Sequence, residues 1–102
     1  MSDELRFKWD ELKRHQTIPK HAIDFDDAVK IFQNTVYVSE IAHLTEDRKI
    51  AIGFLGDMEI AVIFTFRDGF MRIITARRAR VNERRNYHEY LLGRGAEDKG
   101  QN

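Results

Sequence analysis

The stretch MEIAVIFTFRDGFMRIITAR, residues 58–77, consists of two runs of β-branched and aromatic residues separated by Asp68-Gly69. Such runs favour β-strands, and Asp-Gly is common in two-residue hairpin turns because both turn positions need a positive φ. The stretch therefore predicts an antiparallel hairpin. A two-residue turn also predicts its register, which pairs Arg67 with Phe70, Phe66 with Met71, Thr65 with Arg72 and Phe64 with Ile73.

Alternation along the two strands divides the hairpin's side chains between two faces of a sheet. The apolar core face carries Ile60, Val62, Phe64, Phe66, Met71, Ile73 and, further along, Thr75. The second face carries Ala61, Ile63, Thr65, Arg67, Phe70, Arg72, Ile74 and Ala76. Its two arginines stand among small and apolar neighbours and need an anionic partner, which either a protein carboxylate or a ligand phosphate can supply.

The segments before the hairpin predict further strands and two helices. TVYVSEI (35–41) and RKIAIGFL (48–55) have strand composition, so four strands in series predict an antiparallel meander. LRFKW (5–9) is predicted as a short edge strand. Asp10 is predicted to cap a helix over ELKRHQT that stops at Pro19, and Asp24 to cap a second helix. The apolar positions of that second helix, predicted to face the sheet, are Phe25, Ala28, Val29 and Phe32.

After Arg77 the apolar spacing changes to a helical period, which predicts a C-terminal helix that ends at Gly93. The predicted fold is α+β: N-terminal helices packed on a four-stranded antiparallel sheet, followed by a C-terminal helix. A chain of 102 residues is expected to form one domain, here over residues 1–92. The polar tail, residues 93–102, is expected to be disordered.

The composition excludes several kinds of chemistry. The chain has no cysteine, so thiolate zinc sites, thiol nucleophiles and disulfides are excluded. Its four histidines lack the spacing of metal ligands, and there is no phosphate-binding glycine loop, so no metal and no cofactor are expected. No apolar run is long enough to cross a bilayer, and the N-terminus is charged, so no membrane association and a cytoplasmic location are expected.

The zero net charge conceals an asymmetry. Residues 1–47 hold six Lys/Arg against ten Asp/Glu, whereas residues 48–102 hold eleven against seven. Six arginines lie in RIITARRARVNERRNY, residues 72–87. Because guanidinium groups match phosphate oxygens, such a cluster is a candidate phosphate site. The alternative is a solvated helix face whose arginines form ion pairs with the acidic half of the chain. Spacing leaves both interpretations open.

Several motifs, taken in order, resemble one known family. They are W-D-x-x-K (Trp9, Asp10, Lys13), K-H followed by F-x-x-A (Lys20, His21, Phe25, Ala28), AIG (51–53), RIITARRA (72–79) and E-R-x-x-Y (Glu83 to Tyr87). Together they resemble the BrnT family, toxins of a bacterial type II toxin-antitoxin system with a fold similar to the RelE ribonucleases. Two positions depart from the family pattern: Thr17 stands where Asn is usual, and Ala22 where Gly is usual.

The resemblance implies an endoribonuclease that cleaves single-stranded mRNA, inhibits translation and is neutralised by a small DNA-binding antitoxin, BrnA. It also implies catalysis without a metal, in which the ribose 2′-hydroxyl attacks the adjacent phosphate. The residues expected to be catalytic are Arg72, Arg77, Glu83 and Tyr87, with Glu83 as the general base. The residues expected to bind RNA are Arg67, Lys20, His21, Arg78, Arg80 and Arg84.

Two other functions remain open at this point. One is a nucleic-acid-binding or protein-interaction module without catalysis, and the other is a degenerate toxin that still binds its antitoxin. A homodimer and a toxin-antitoxin hetero-oligomer are both compatible with the sequence. Each of these alternatives keeps the arginines as contacts to an anionic partner, but only the toxin prediction requires a group that accepts a proton.

Overall fold

A computed structural model describes the backbone of residues 5–100 and the side chains of residues 5–93. Within that range five strands form one sheet, in the order β1-β5-β4-β3-β2. The strands are β1 (Phe7–Trp9), β2 (Tyr37–Ile41), β3 (Arg48–Leu55), β4 (Met58–Arg67) and β5 (Phe70–Arg78). The helices are α1 (Glu11–His21), α2 (Phe25–Ala28), a 3₁₀ helix (Val29–Gln33) and α3 (Val81–Gly100). The α+β class is confirmed, and none of the described helices has the length and hydropathy to span a membrane.

The predicted four-stranded antiparallel sheet is corrected to a mixed sheet of five strands. Strands β2 to β5 form the antiparallel meander, but β1 lies beside β5 in parallel orientation, with Phe7 opposite Met71 and Trp9 opposite Ile73. The chain then crosses from β1 at one edge, through the helices, to β2 at the other edge. A three-residue strand is too short for its own pattern to indicate its partner, so only the assembled sheet defines this pairing.

The hairpin register is confirmed near the turn and shifts further along. Arg67 pairs with Phe70 and Phe64 with Ile73 as predicted, and Asp68 and Gly69 have φ values of 55° and 81°. Beyond Phe64, Ile63 pairs with Thr75, so Ile74 is an extra residue on β5 and forms a β-bulge. An extra residue inverts the alternation that follows it. The predicted faces of two residues are therefore wrong: Ala76 is buried in the core, and Thr75 lies on the second face, opposite Ile63.

The core face is covered by the helical layer that connects β1 to β2. The side chains of Phe25, Ala28 and Ile31 are fully buried against this face of the sheet. The predicted N-caps are confirmed, because Asp10 accepts a hydrogen bond from Leu12 N–H at 2.8 Å and Asp24 accepts one from Asp26 N–H at 3.1 Å. The second helix is shorter than predicted: it contains four α-helical residues and then tightens into the 3₁₀ helix.

The sequence predicted that helix α1 stops at Pro19, but the helix continues to His21. Proline lacks the N–H that would bond the preceding turn, so the helix loses one hydrogen bond there. It ends at Ala22, whose N–H donates to the carbonyl of Ile18 at 2.7 Å and whose φ is 60°. This left-handed conformation is one that glycine adopts readily and alanine resists.

Helix α3 packs on one half of the second face. Its Tyr87 and Leu91 contact an apolar cluster that includes Ile50, Ile52 and Ala61. It then runs toward the β2 edge, where the rings of Tyr90 and Tyr37 lie 5.0 Å apart. The helix continues past Gly93, the predicted end, to Gly100. The tail predicted to be disordered comprises residues 93–102. Its side chains after Gly93, and all of residues 101–102, lie outside the described part of the chain.

Ala22→Gly is expected to stabilise the protein by about 0.5–1 kcal/mol, because relief of the left-handed strain exceeds the extra flexibility that glycine gives the unfolded chain. Chemical denaturation followed by circular dichroism measures this change. Ala42, an exposed loop residue whose φ is not positive, is the matched control, and Ala42→Gly is expected to destabilise slightly. A loss of stability in Ala22→Gly would contradict the assignment of strain.

Candidate nucleic-acid site

A concavity lies on the part of the second face that α3 leaves uncovered, beside the turn of the β4–β5 hairpin. Its volume is about 220 Å³, and we call it the basic concavity. Three cations, one phenyl ring and one carboxylate line it: Lys8, Arg67, Arg72, Phe70 and Asp68. Strand pairing brings these residues together, since Lys8 on β1 lies opposite Arg72 on β5, which in turn lies opposite Thr65 on β4.

Arg72 differs from the other partly buried arginines of the described residues. Arg14 binds Asp24 at 2.7 Å, Arg48 binds Glu46 at 2.8 Å and Arg77 binds Glu83 at 2.8 Å. Arg72 is also partly buried, but its guanidinium makes no hydrogen bond or ion pair with any described residue. A guanidinium that is partly withdrawn from water and lacks a carboxylate has its donors available for a ligand anion.

The other two cations of the basic concavity are held in place by neighbouring groups. The ammonium of Lys8 lies 4.0 Å from the centre of the Phe70 ring, within the range of a cation–π interaction. Arg67 is exposed and binds Glu46 at 3.2 Å. Glu46 also binds Arg48, whose hydrogen bond is the main cause that lowers the pKa of this carboxyl. Sequence reasoning missed Lys8, because nothing in the segment LRFKW indicates that it pairs beside Arg72.

Arg77 and Glu83 form a second group, at the junction of β5 and α3. Both Nη atoms of Arg77 donate to the two carboxylate oxygens of Glu83 at 2.8 Å, and the backbone N–H of Arg80 donates to Oε1 at 2.8 Å. Glu83 therefore caps the first turn of α3 and ties this helix to the sheet. The hydrogen bonds from Arg77 are the main cause that lowers the pKa of Glu83, and the same pairing raises the pKa of Arg77.

Tyr87 lies one helical turn beyond Glu83 but is buried. Its side chain is 3 % exposed, and its hydroxyl donates to the backbone carbonyl of Thr35 at 2.8 Å. Burial is the main cause that raises the pKa of this phenol. The hydroxyl thus has a partner inside the protein, and the ring packs 5.7 Å from that of Phe54.

The structure separates the residues that the sequence predicted for one site. Arg67 and Arg72 share the basic concavity, whereas Arg77 and Glu83 contact each other, roughly 16 Å from Arg72 along β5 at the usual rise of a strand. Arg78, Arg80 and Arg84 are exposed, and Arg84 donates to the carbonyl of Ala79 at 3.2 Å. Lys20 and His21 lie in the last turn of α1.

Comparison with known proteins agrees with this fold. The model of the family "Ribonuclease toxin, BrnT, of type II toxin-antitoxin system" matches residues 9–83. The crystal structure of the Brucella abortus ribonuclease toxin, BrnT, is 31 % identical in sequence, with a TM-score of 0.59. The alignment covers 76 % of this chain and 99 % of that one. Among the curated proteins none matches.

A small α+β domain with a basic concavity and these matches belongs to the toxins of type II toxin-antitoxin systems. Within that class, the chain is a member of the BrnT family of ribonuclease toxins. Membership implies an antitoxin partner and an RNA target. The family model covers residues 9–83, so it includes Arg67, Arg72 and the ion pair of Glu83 with Arg77, but it excludes Lys8 and most of α3.

Glu83→Gln is expected to lower the free energy of unfolding at pH 7 by about 2 kcal/mol, since it weakens charge-assisted hydrogen bonds in a largely buried pair. A carboxyl with a lowered pKa stabilises the fold above its unfolded pKa, and this contribution disappears as the pH falls through the folded pKa. The difference in unfolding free energy between wild type and Glu83→Gln should therefore be constant from pH 6 to 8. It should shrink once the pH falls below 4.5, the ordinary pKa of a glutamate.

Urea denaturation of both proteins from pH 8 down to pH 3 measures this difference directly. The comparison matters because other carboxylates with a lowered pKa, such as Asp24 and Glu46, titrate equally in both proteins. A difference that stays constant down to pH 3 would show that the charge of Glu83 does not stabilise α3.

Proposed function

We propose that this protein is an endoribonuclease that cleaves single-stranded mRNA without a metal ion, inhibits translation and is neutralised by a BrnA-type antitoxin. One observation carries the proposal: Arg72 is partly buried, has no carboxylate partner among the described residues and lines a concavity with two further cations. Ion pairs with protein carboxylates account for Arg14, Arg48 and Arg77, but they do not account for Arg72.

The proposed reaction is an internal transfer of the phosphate. The ribose 2′-oxygen loses its proton and forms a bond to the adjacent phosphorus, while the bond from phosphorus to the 5′-oxygen breaks. The products are a 2′,3′-cyclic phosphate and a 5′-hydroxyl. Negative charge increases on the phosphate oxygens in the transition state, and Arg72 with Lys8 and Arg67 stabilises it.

The second group of predicted residues supports the site from a distance in this proposal. Arg77 and Glu83 bind each other, and this pair orients α3 on the sheet. Glu83 has both oxygens occupied and a lowered pKa, which makes it a weak proton acceptor. Tyr87 anchors the same helix through Thr35. The exposed Arg78, Arg80 and Arg84 are proposed to contact more distant phosphates of the RNA, and so are Lys20 and His21 in the last turn of α1.

The antitoxin is proposed to cover the second face at the basic concavity. An acidic or apolar segment of the partner would replace RNA there and neutralise the three cations. This proposal requires a partner protein, a small DNA-binding protein encoded by a neighbouring gene.

Arg72→Ala is expected to lower the rate of RNA cleavage by about 100-fold or more, because it removes a cation that acts on the transition state. Cleavage of a fluorescent single-stranded RNA measures the rate. Arg85→Ala, which removes an exposed arginine from α3, is the matched control and should cleave like wild type. An oligonucleotide of the same sequence with 2′-deoxyribose throughout should resist cleavage. If wild type binds RNA but never cleaves it, and each arginine lowers affinity by a similar small step, the protein is a binding module.

Induced expression of wild type in bacterial cells is expected to stop growth and translation, and expression of Arg72→Ala is not. Incorporation of labelled amino acids into protein measures translation in both strains. Co-expression of the antitoxin should restore growth of the wild-type strain. If wild type is harmless, the protein is not an active toxin, and the degenerate-toxin alternative is supported.

A further inference from the structure

The proposed reaction needs a group that accepts the proton of the 2′-hydroxyl, and this group must lie within hydrogen-bond reach of a phosphate held at Arg72. The resemblance to the BrnT family predicted Glu83 for this role. Glu83 lies with Arg77 at the opposite end of β5, with both oxygens accepting hydrogen bonds. The proton acceptor must therefore come from another residue around the basic concavity.

Two carboxylates lie near the cations of this site. Glu46 binds Arg48 at 2.8 Å and Arg67 at 3.2 Å, so each of its oxygens already has a guanidinium partner. Asp68 lines the concavity beside Arg67 and Arg72, and its carboxylate makes no hydrogen bond or ion pair with any described residue. Asp68 is the acidic side chain that lines the basic concavity, and it remains available to a ligand.

The backbone holds Asp68 in a defined position. It occupies the first position of the two-residue turn between β4 and β5, with a φ of 55°, and Gly69 follows with a φ of 81°. A two-residue turn of this type is rigid because both flanking strands are paired. Phe70, which follows Gly69, is held under the ammonium of Lys8, and this contact further orders this end of the hairpin. The side chain therefore starts from a fixed point at the edge of the concavity.

We infer that Asp68 is the general base of the proposed ribonuclease reaction, an inference that rests on the proposed function. Its carboxylate takes the proton of the 2′-hydroxyl while the 2′-oxygen bonds to phosphorus. The 5′-oxygen leaves as the bond to phosphorus breaks and takes a proton from solvent water. The protonated Asp68 then returns its proton to solvent, so no other reactant is consumed.

A carboxylate next to three cations has a plain structural alternative, in which Asp68 is present only because Asp-Gly forms the turn. Asp68→Asn separates the two roles. Asn-Gly is at least as suitable for this turn as Asp-Gly, so the variant keeps the hairpin but cannot accept the proton. Asp57→Asn is the matched control, since Asp57 lies in the turn between β3 and β4, outside the concavity.

The experiment measures single-turnover cleavage of a single-stranded RNA and, separately, binding of the same sequence with 2′-deoxyribose throughout. Asp68→Asn is expected to cleave at least about 100-fold more slowly than wild type, the usual range for loss of a general base. It should bind the 2′-deoxy oligonucleotide as tightly as wild type or more tightly, because a negative charge near phosphate is removed. Its residual rate should rise with hydroxide concentration, and Asp57→Asn should match wild type in both assays.

Other outcomes would overturn the inference in distinguishable ways. If Arg72→Ala loses cleavage but Asp68→Asn cleaves within a few-fold of wild type, Asp68 is a turn residue and the proposed function stands. If Asp68→Asn loses binding and cleavage equally while its circular dichroism spectrum is unchanged, Asp68 contacts RNA without acting as the base. If wild type itself does not cleave RNA, the proposed function fails and this inference fails with it. Asp68→Gly, which also suits the turn, replaces Asp68→Asn if that variant does not fold.

Discussion

The extra residue on β5 at Ile74 decides which face of the sheet each later side chain occupies. Without this bulge, strict alternation would place Ala76 on the second face and Arg77 on the core face, under the helical layer. With it, Ala76 is fully buried in the core, and Arg77 lies opposite Ala61 on the face that α3 covers. The guanidinium of Arg77 can therefore meet Glu83 in the first turn of α3. The position of the C-terminal helix depends on that contact and on the burial of Tyr87.

The distribution of carboxylates explains how the arginines of one chain can serve both stability and binding. Arg14, Arg48 and Arg77 each have an acidic partner, and these pairs join α1 to α2, the loop before β3 to the sheet, and β5 to α3. A phosphate that bound to one of these three guanidinium groups would compete with a structural ion pair. Arg72 has no such partner among the described residues, so the free positive charge of the second face is concentrated at one end of the hairpin.

Local chemistry made parts of the fold predictable. The Asp68-Gly69 turn determined the register of the nearest pairs, and short acidic side chains before Leu12 and Asp26 marked the starts of two helices. Other features have no local signal. Pro19 lies inside α1 instead of ending it, and the partner of β1 is a segment about 60 residues away. For the site, the sequence identified Arg67 and Arg72 but missed Lys8, which reaches them only through the parallel pairing of β1 with β5.

The sequence by itself determined the α+β class, the meander and the family, because these follow from hydrophobic period, turn residues and motif order. It also showed an excess of arginine after residue 72, but it could not show which arginines carry uncompensated charge. Only the tertiary structure decided that, since ion pairing depends on distances between residues far apart in the chain. Glu83 follows Arg77 by six residues and binds it, whereas Asp68 precedes Arg72 by four and has no partner among the described residues. Spacing along the chain does not distinguish these two cases. They differ in how the strands and helices orient the side chains, which only the tertiary structure shows.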